Sequence, residues 1–147
     1  MSGRDAVTEL ILEIFRLNGR LLAAGDALVA DLGLTSARWQ VLGAIALSAV
    51  ALPVAHIARN MGLTRQAVQR LANEMERDGL VRFAPNPHHQ RAKLVLLTAR
   101  GRAVYENAMR RQQPWAASLG QGIGSKAIVA ATGVLRTIGR RLDAPAD

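Results

Sequence analysis

Residues 53–83 read PVAHIARNMGLTRQAVQRLANEMERDGLVRF. Two short amphipathic runs, PVAHIARNM and TRQAVQRLANEMERDG, are separated only by Gly62 and Leu63. In the first, Val54, Ile57, Ala58 and Met61 recur at helical spacing, and Pro53 suits a helix's first position, where a missing N–H costs nothing. Gly62 supplies a sharp turn, and the Thr64 hydroxyl can cap the second helix. There Ala67, Val68, Leu71 and Met75 form an apolar stripe, which leaves Arg65, Gln66, Gln69, Arg70 and Asn73 on the solvent side. Gly79 ends that helix.

After Gly79 the periodicity changes. Leu80 to Ala84 reads as a strand, PNPHHQR (85–91) as a loop, and Ala92 to Leu97 as a returning strand. Two helices joined by a tight glycine turn and followed at once by a hairpin with a basic tip form a winged helix-turn-helix. The first helix props the second so that its polar face can enter a major groove, whose width admits one helix. Arg65 and Arg70 can pair bidentately with guanine or hold phosphates, while Gln66, Gln69 and Asn73 can read adenine edges. The plainer reading is an ordinary solvated helix face.

Outward from this block, Thr35 or Ser36 can cap a preceding helix through Ala46, with Trp39, Leu42 and Ile45 on one face. Leu10, Ile14, Leu17, Leu21, Ala24 and Leu28 recur at steps of four and three, a seam that a long first helix would offer to another helix. Near the other end Ile128, Ala131, Leu135, Ile138 and Leu142 repeat that spacing. Such seams can pair within one subunit or between two. Thr98 can cap a long helix through Val104 and Ala108, which Pro114 is expected to kink or break.

The 147 residues suit one domain, mainly α with a small two-stranded β-wing. The expected division is a winged lobe over 35–98 and a helical dimerisation region over 5–32 and 99–142. With 19 Lys and Arg against 11 Asp and Glu, the formal charge is +8, which suits a polyanionic partner. The chain has no cysteine, which excludes a disulfide framework, a thiolate metal site and cysteine redox sensing. Trp39 to Ala58 holds no formally charged residue, yet Gln40, Gly43, Ser48, Pro53 and His56 interrupt it, so no membrane span is expected. The N-terminus does not read as a secretory signal, and a cytoplasmic location is the expectation.

Catalytic and metal chemistry find no support. His88 and His89 are adjacent and cannot both face one metal from a regular strand, and neither a cysteine nor a nearby carboxylate completes a set. The serines lack a base and a strand–turn–helix context. GQGIGS (120–125) lacks the lysine and the preceding strand of a phosphate loop. No enzyme activity and no cofactor is expected.

LTSARWQVLGAI (34–45), the opening block and NPHHQRAKLVLLTARGRAVYENA (86–108) stand in the order and spacing of the MarR family of transcriptional regulators, which the chain resembles over roughly residues 5–142. The resemblance implies a homodimer built from the terminal helices, here Leu10, Ile14, Leu17, Leu21, Ile128, Leu135 and Ile138. It also implies a winged lobe that binds double-stranded DNA at a pseudo-palindromic operator and represses neighbouring genes until a small ligand binds. The recognition helix falls on Thr64 to Asp78 and the wing arginine on Arg91, with His88 and His89 beside it. Two departures stand out: His89 occupies a position where the family often has an acid, and Pro114 interrupts a usually continuous helix. The family's ligand cleft would bring in Arg38 and Trp39, a cation beside an aromatic wall suited to an aromatic or phenolic acid. Two competing readings are a nonspecific nucleic-acid-binding architectural protein and a winged-helix protein-interaction module.

Overall fold

The computed structural model describes residues 2–143. Residue 1 and residues 144–147, included in the single-domain expectation, lie outside the described residues. In chain order the elements are α1 (Gly3–Val29), a 3-10 turn (Ala30–Leu32), α2 (Ser36–Ala46), β1 (Leu52–Pro53), α3 (Val54–Met61) and α4 (Arg65–Arg77). They continue with β2 (Val81–Ala84), β3 (Leu94–Leu97), α5 (Ala99–Gly120) and α6 (Ser125–Asp143). The chain divides into two compact units, and the boundary falls between Gln112 and Gln113, inside α5.

In the first unit the core is built where α2, α3, α4 and the sheet meet. Val41, Leu42, Ile57, Val68, Met75 and Val95 are fully buried within it. On α4 the apolar stripe runs through Val68, Ala72 and Met75, while Ala67 and Leu71 are only half-buried. The buried line thus lies about one position further round the helix than Ala67 suggested.

The expected hairpin is present, with β2 antiparallel to β3 in the register Val81↔Leu97 to Ala84↔Leu94. Its sheet has a third strand, in the order β1-β3-β2, because Leu52 and Pro53 pair with Val95 and Leu94. Pro53 therefore sits one residue before α3, in an extended conformation at its N-cap rather than at the first helical position. A proline is tolerated there because an edge strand does not need its N–H. The returning strand begins at Leu94, since the His89 carbonyl accepts from the Ala92 N–H in a turn that holds the preceding residues out of the ladder.

The joint between α1 and α2 is tightly made. Asp26 Oδ1 accepts from the Ser36 N–H at 2.6 Å, and Ser36 Oγ donates to the Leu22 carbonyl at 2.8 Å. Gly25 lets the helices approach, because a Cβ there would lie 2.4 Å from Ser36 Oγ. A second close approach is at Gly101 near the start of α5, where a Cβ would lie 1.9 Å from the Leu80 carbonyl oxygen. The α5 cap is as expected: Thr98 Oγ1 accepts from the Gly101 N–H at 3.0 Å and donates to the Gly79 carbonyl at 2.6 Å.

The helix α5 continues through Pro114 to Gly120, so the expected break does not occur. Proline removes one donor, to the carbonyl four residues back, which belongs to the exposed Arg110 and can turn to water. In the second unit, α6 buries none of its side chains.

Candidate nucleic-acid interface

The turn between α3 and α4 is set by Gly62, at φ 68° in the left-handed region, with the Leu63 N–H returning to the Ala58 carbonyl at 3.0 Å. A β-carbon would strain this conformation. Thr64 Oγ1 then accepts from the Ala67 N–H at 3.1 Å and fixes where α4 begins. With Val68, Ala72 and Met75 held in the core, helical periodicity leaves Arg65, Gln66, Gln69, Arg70 and Asn73 exposed.

A groove of about 670 Å³ runs between this face and the wing. Arg65, Gln66, Gln69 and Asn73 line one wall, and Arg91, Ala92 and Lys93 line the other. The structure thus gathers five residues singled out in the sequence: Arg65, Gln66, Gln69, Asn73 and Arg91. Arg70 lies on the adjoining shallow surface with Glu74 and Arg77. Thr64 serves as the cap. His88 and His89 are exposed in the wing loop, where Asn86 organises the turn by accepting from the His88 N–H at 3.0 Å.

Lys93 is the basic residue that the sequence reading missed. It stands just before β3, where the turn that ends at Ala92 brings it beside Arg91 on the groove. Glu76 also lines the groove and makes its electrostatics uneven.

Arg38 ties α2 to the C-terminal end of α4. Its Nη1 donates to Asp78 Oδ2 at 2.7 Å, its Nη2 stands 3.6 Å from Glu74 Oε2, and its side chain is only 18% exposed. Two acids in the last turn of a helix oppose the helix dipole, and the guanidinium from α2 offsets them. Arg38, expected as the cation of a ligand wall beside Trp39, is engaged with these two acids. Trp39 is half-buried and packs on the core beside Gly25.

A second guanidinium ties the 3-10 turn to α5. Arg111 is in contact with both oxygens of Asp31 and donates to the Leu28 carbonyl at 3.1 Å. The side-chain hydrogen bond from Arg111 pulls the Asp31 carboxyl below its usual pKa, and the same bond raises that of Arg111. Among the described residues no three His, Cys, Asp or Glu side chains are grouped to hold a metal ion. Also among them, no helix is long and apolar enough to cross a membrane.

A helix-turn-helix with its second helix exposed, backed by a sheet whose hairpin forms the far wall of a basic groove, defines a winged helix-turn-helix DNA-binding protein. Residues 32–92 match the model of the MarR family. An uncharacterized protein of Mycobacterium tuberculosis is 39% identical over 102 residues, covering 69% of this chain and 70% of that one. The transcriptional activatory protein BadR of Rhodopseudomonas palustris is 34% identical over 104 residues, covering 69% of this chain and 59% of its own. Among solved structures, the M. tuberculosis transcriptional regulator MOSR in complex with DNA superposes with a TM-score of 0.75 at 26% identity, over 90% of this chain and 95% of that one. The chain belongs to the MarR family, and is a DNA-binding transcriptional regulator.

Proposed function

We propose that the protein is a homodimeric, sequence-specific repressor that binds a pseudo-palindromic operator and controls neighbouring genes. The groove between α4 and the wing carries this reading: cations on both walls suit phosphates, and the neutral amides that share the α4 wall with Arg65 suit base edges. Residues 35–98 would form the DNA-binding lobe, and residues 5–32 and 99–142 the dimerisation region. Dimerisation is supported by seam residues that the chain leaves uncovered, with Leu17 53%, Leu21 41%, Ile128 43% and Leu135 45% exposed. Leu10, Ile14 and Ile138 are half-buried along the same lines.

Release by a small aromatic or phenolic effector completes the reading. Trp39 is its aromatic surface, at the joint of α1 and α2, and a shift of α2 would reach α4 through Arg38. Adding benzoate or hydroxycinnamate to the protein–DNA complex should lower its affinity and alter tryptophan fluorescence; no response to either compound removes this effector class.

The test of the central claim is binding to the DNA flanking the gene, compared with scrambled duplex across a salt series. Specific recognition predicts about a thousandfold preference or more for the operator, and equal affinities would instead indicate an architectural protein. Absence of salt-dependent binding would indicate a protein-interaction module. Arg91→Ala should weaken all sequences alike and flatten the salt slope by about one unit. A loss of specificity alone would move Arg91 from the backbone to the bases.

Activation is the second reading, favoured by the 34% identity to a protein named as a transcriptional activator. Deleting the gene and measuring transcripts of its neighbours separates the two, since a repressor's loss raises them and an activator's loss lowers them.

A further inference from the structure

The side chains of Gln69 and Asn73 are one helical turn apart and joined: Gln69 Nε2 donates to Asn73 Oδ1 at 2.9 Å. Both are exposed and both line the groove. A free glutamine amide turns over readily and can present either its oxygen or its nitrogen, so alone it discriminates poorly between bases that donate and bases that accept. Here one Nε2 hydrogen is committed to Asn73 Oδ1, so the Gln69 amide can turn over without losing that bond only if the Asn73 amide turns with it. Gln69 therefore keeps Oε1 and one further N–H for the groove.

We propose that Asn73 is a positioning residue that orients the Gln69 amide to read a single adenine in each operator half-site. This rests on the major-groove placement of α4 set out above. Adenine offers the matching edge, an N6 donor for Oε1 and an N7 acceptor for the remaining N–H. Guanine offers two acceptors in the same place and leaves Oε1 facing O6 without a hydrogen between them. Cytosine offers only a donor, and thymine only an acceptor and a methyl group. The pair thus turns a permissive residue into a selective one, without any contact between Asn73 and a base.

The test is selection from a random-sequence duplex library, followed by competition binding with each base at each selected position. Wild type should select adenine at one position per half-site, and Gln69→Ala should reduce that preference roughly 5- to 150-fold there and nowhere else. Gln69→Glu, which can only accept, should shift the choice toward cytosine. Asn73→Ala frees the amide to turn over, so guanine and thymine should gain at that same position. Asn73→Asp retains the acceptor, so it should keep the adenine preference while weakening all sequences through its added charge. The positioning role is overturned if Asn73→Ala leaves the preference unchanged, or if Asn73→Asp loses it as Asn73→Ala does. A Gln69→Ala variant that relaxes a position held by another base overturns the adenine assignment. If wild type selects no sequence, the proposed function falls with the pair. If it selects one that Gln69→Ala leaves untouched, the pair alone falls. Both side chains are exposed, so thermal unfolding of the four variants should match wild type.

Discussion

In the winged lobe Leu42, Ile57, Val68 and Met75 are fully buried, whereas α6 buries no side chain and leaves Val129 71% exposed. The helix α1 lies between these extremes: Gly25 and Val29 are buried near its C-terminal end, but Phe15 is 71% exposed. Burial of one large apolar side chain is worth about 1.5–3 kcal/mol, so the exposed faces forgo stabilisation that the lobe already has. The core of the lobe is closed within the chain, with Val29 of α1 and Ala108 of α5 in it, while α6 and the rest of α1 carry exposed apolar faces. Closed capping and close packing in the lobe fix the shape of the reading head. In the proposed dimer, placing two such heads on one operator would fall to the seams.

The largest expected effect tests that division. Leu17→Glu or Leu135→Glu puts a charge into a seam and should yield a monomer by analytical ultracentrifugation. Operator affinity should fall roughly a thousandfold, toward the nonspecific level, while helical content by circular dichroism stays near wild type. A charged variant that remained a tight-binding dimer would remove these residues from the interface.

The reverse pattern is expected at Gly101. A methyl group there meets the Leu80 carbonyl oxygen at 1.9 Å, backbone against backbone at the base of the wing. Gly101→Ala should cost about 3 kcal/mol of stability in denaturant unfolding and loosen the wing. An unchanged midpoint would show that α5 and the Leu80 turn can separate without loss. The seam variants should spare the lobe and the glycine variant should not, so together they measure how independent the two regions are.

The smallest effect concerns Asp31. Its folded-state pKa is lowered by the hydrogen bond from Arg111, so its contribution is present above the unfolded carboxyl value of about 3.9 and is lost as pH falls through the folded value. Both groups are solvent-exposed, so the contribution is small. Asp31→Asn should leave stability near neutral pH almost unchanged and reduce its acid-side slope. Identical acid profiles for the two proteins would mean that the pair does not survive in solution.

Much of the candidate interface was legible because local rules govern which residues of α4 are exposed. A glycine turn, a hydroxyl cap and helical spacing suffice to place Arg65, Gln66, Gln69, Arg70 and Asn73 on the exposed face of α4. The hairpin was legible from its change of period, whereas Arg91 was reached only through the family resemblance. The ion pairs of Arg38 were not legible, because its partners, Glu74 and Asp78, are far away in sequence. Nothing near Arg38 shows that its charge is already engaged.

The sequence by itself determined which segments become helices and strands and which faces turn to solvent, because periodicity, caps and turns act within a few residues. Only the tertiary structure decided what those faces meet. It added β1 to the sheet through the pairing of Leu52 with Val95, a contact across 43 residues that no local pattern encodes. It set Gly25 against Ser36 and Gly101 against Leu80, where the absence of a side chain matters only once another element is in place. It also closed the groove by bringing Arg91 and Lys93 opposite Gln69 and Asn73. Local propensity acts along the chain, whereas close packing, ion pairing and groove shape arise between segments that the fold alone brings together.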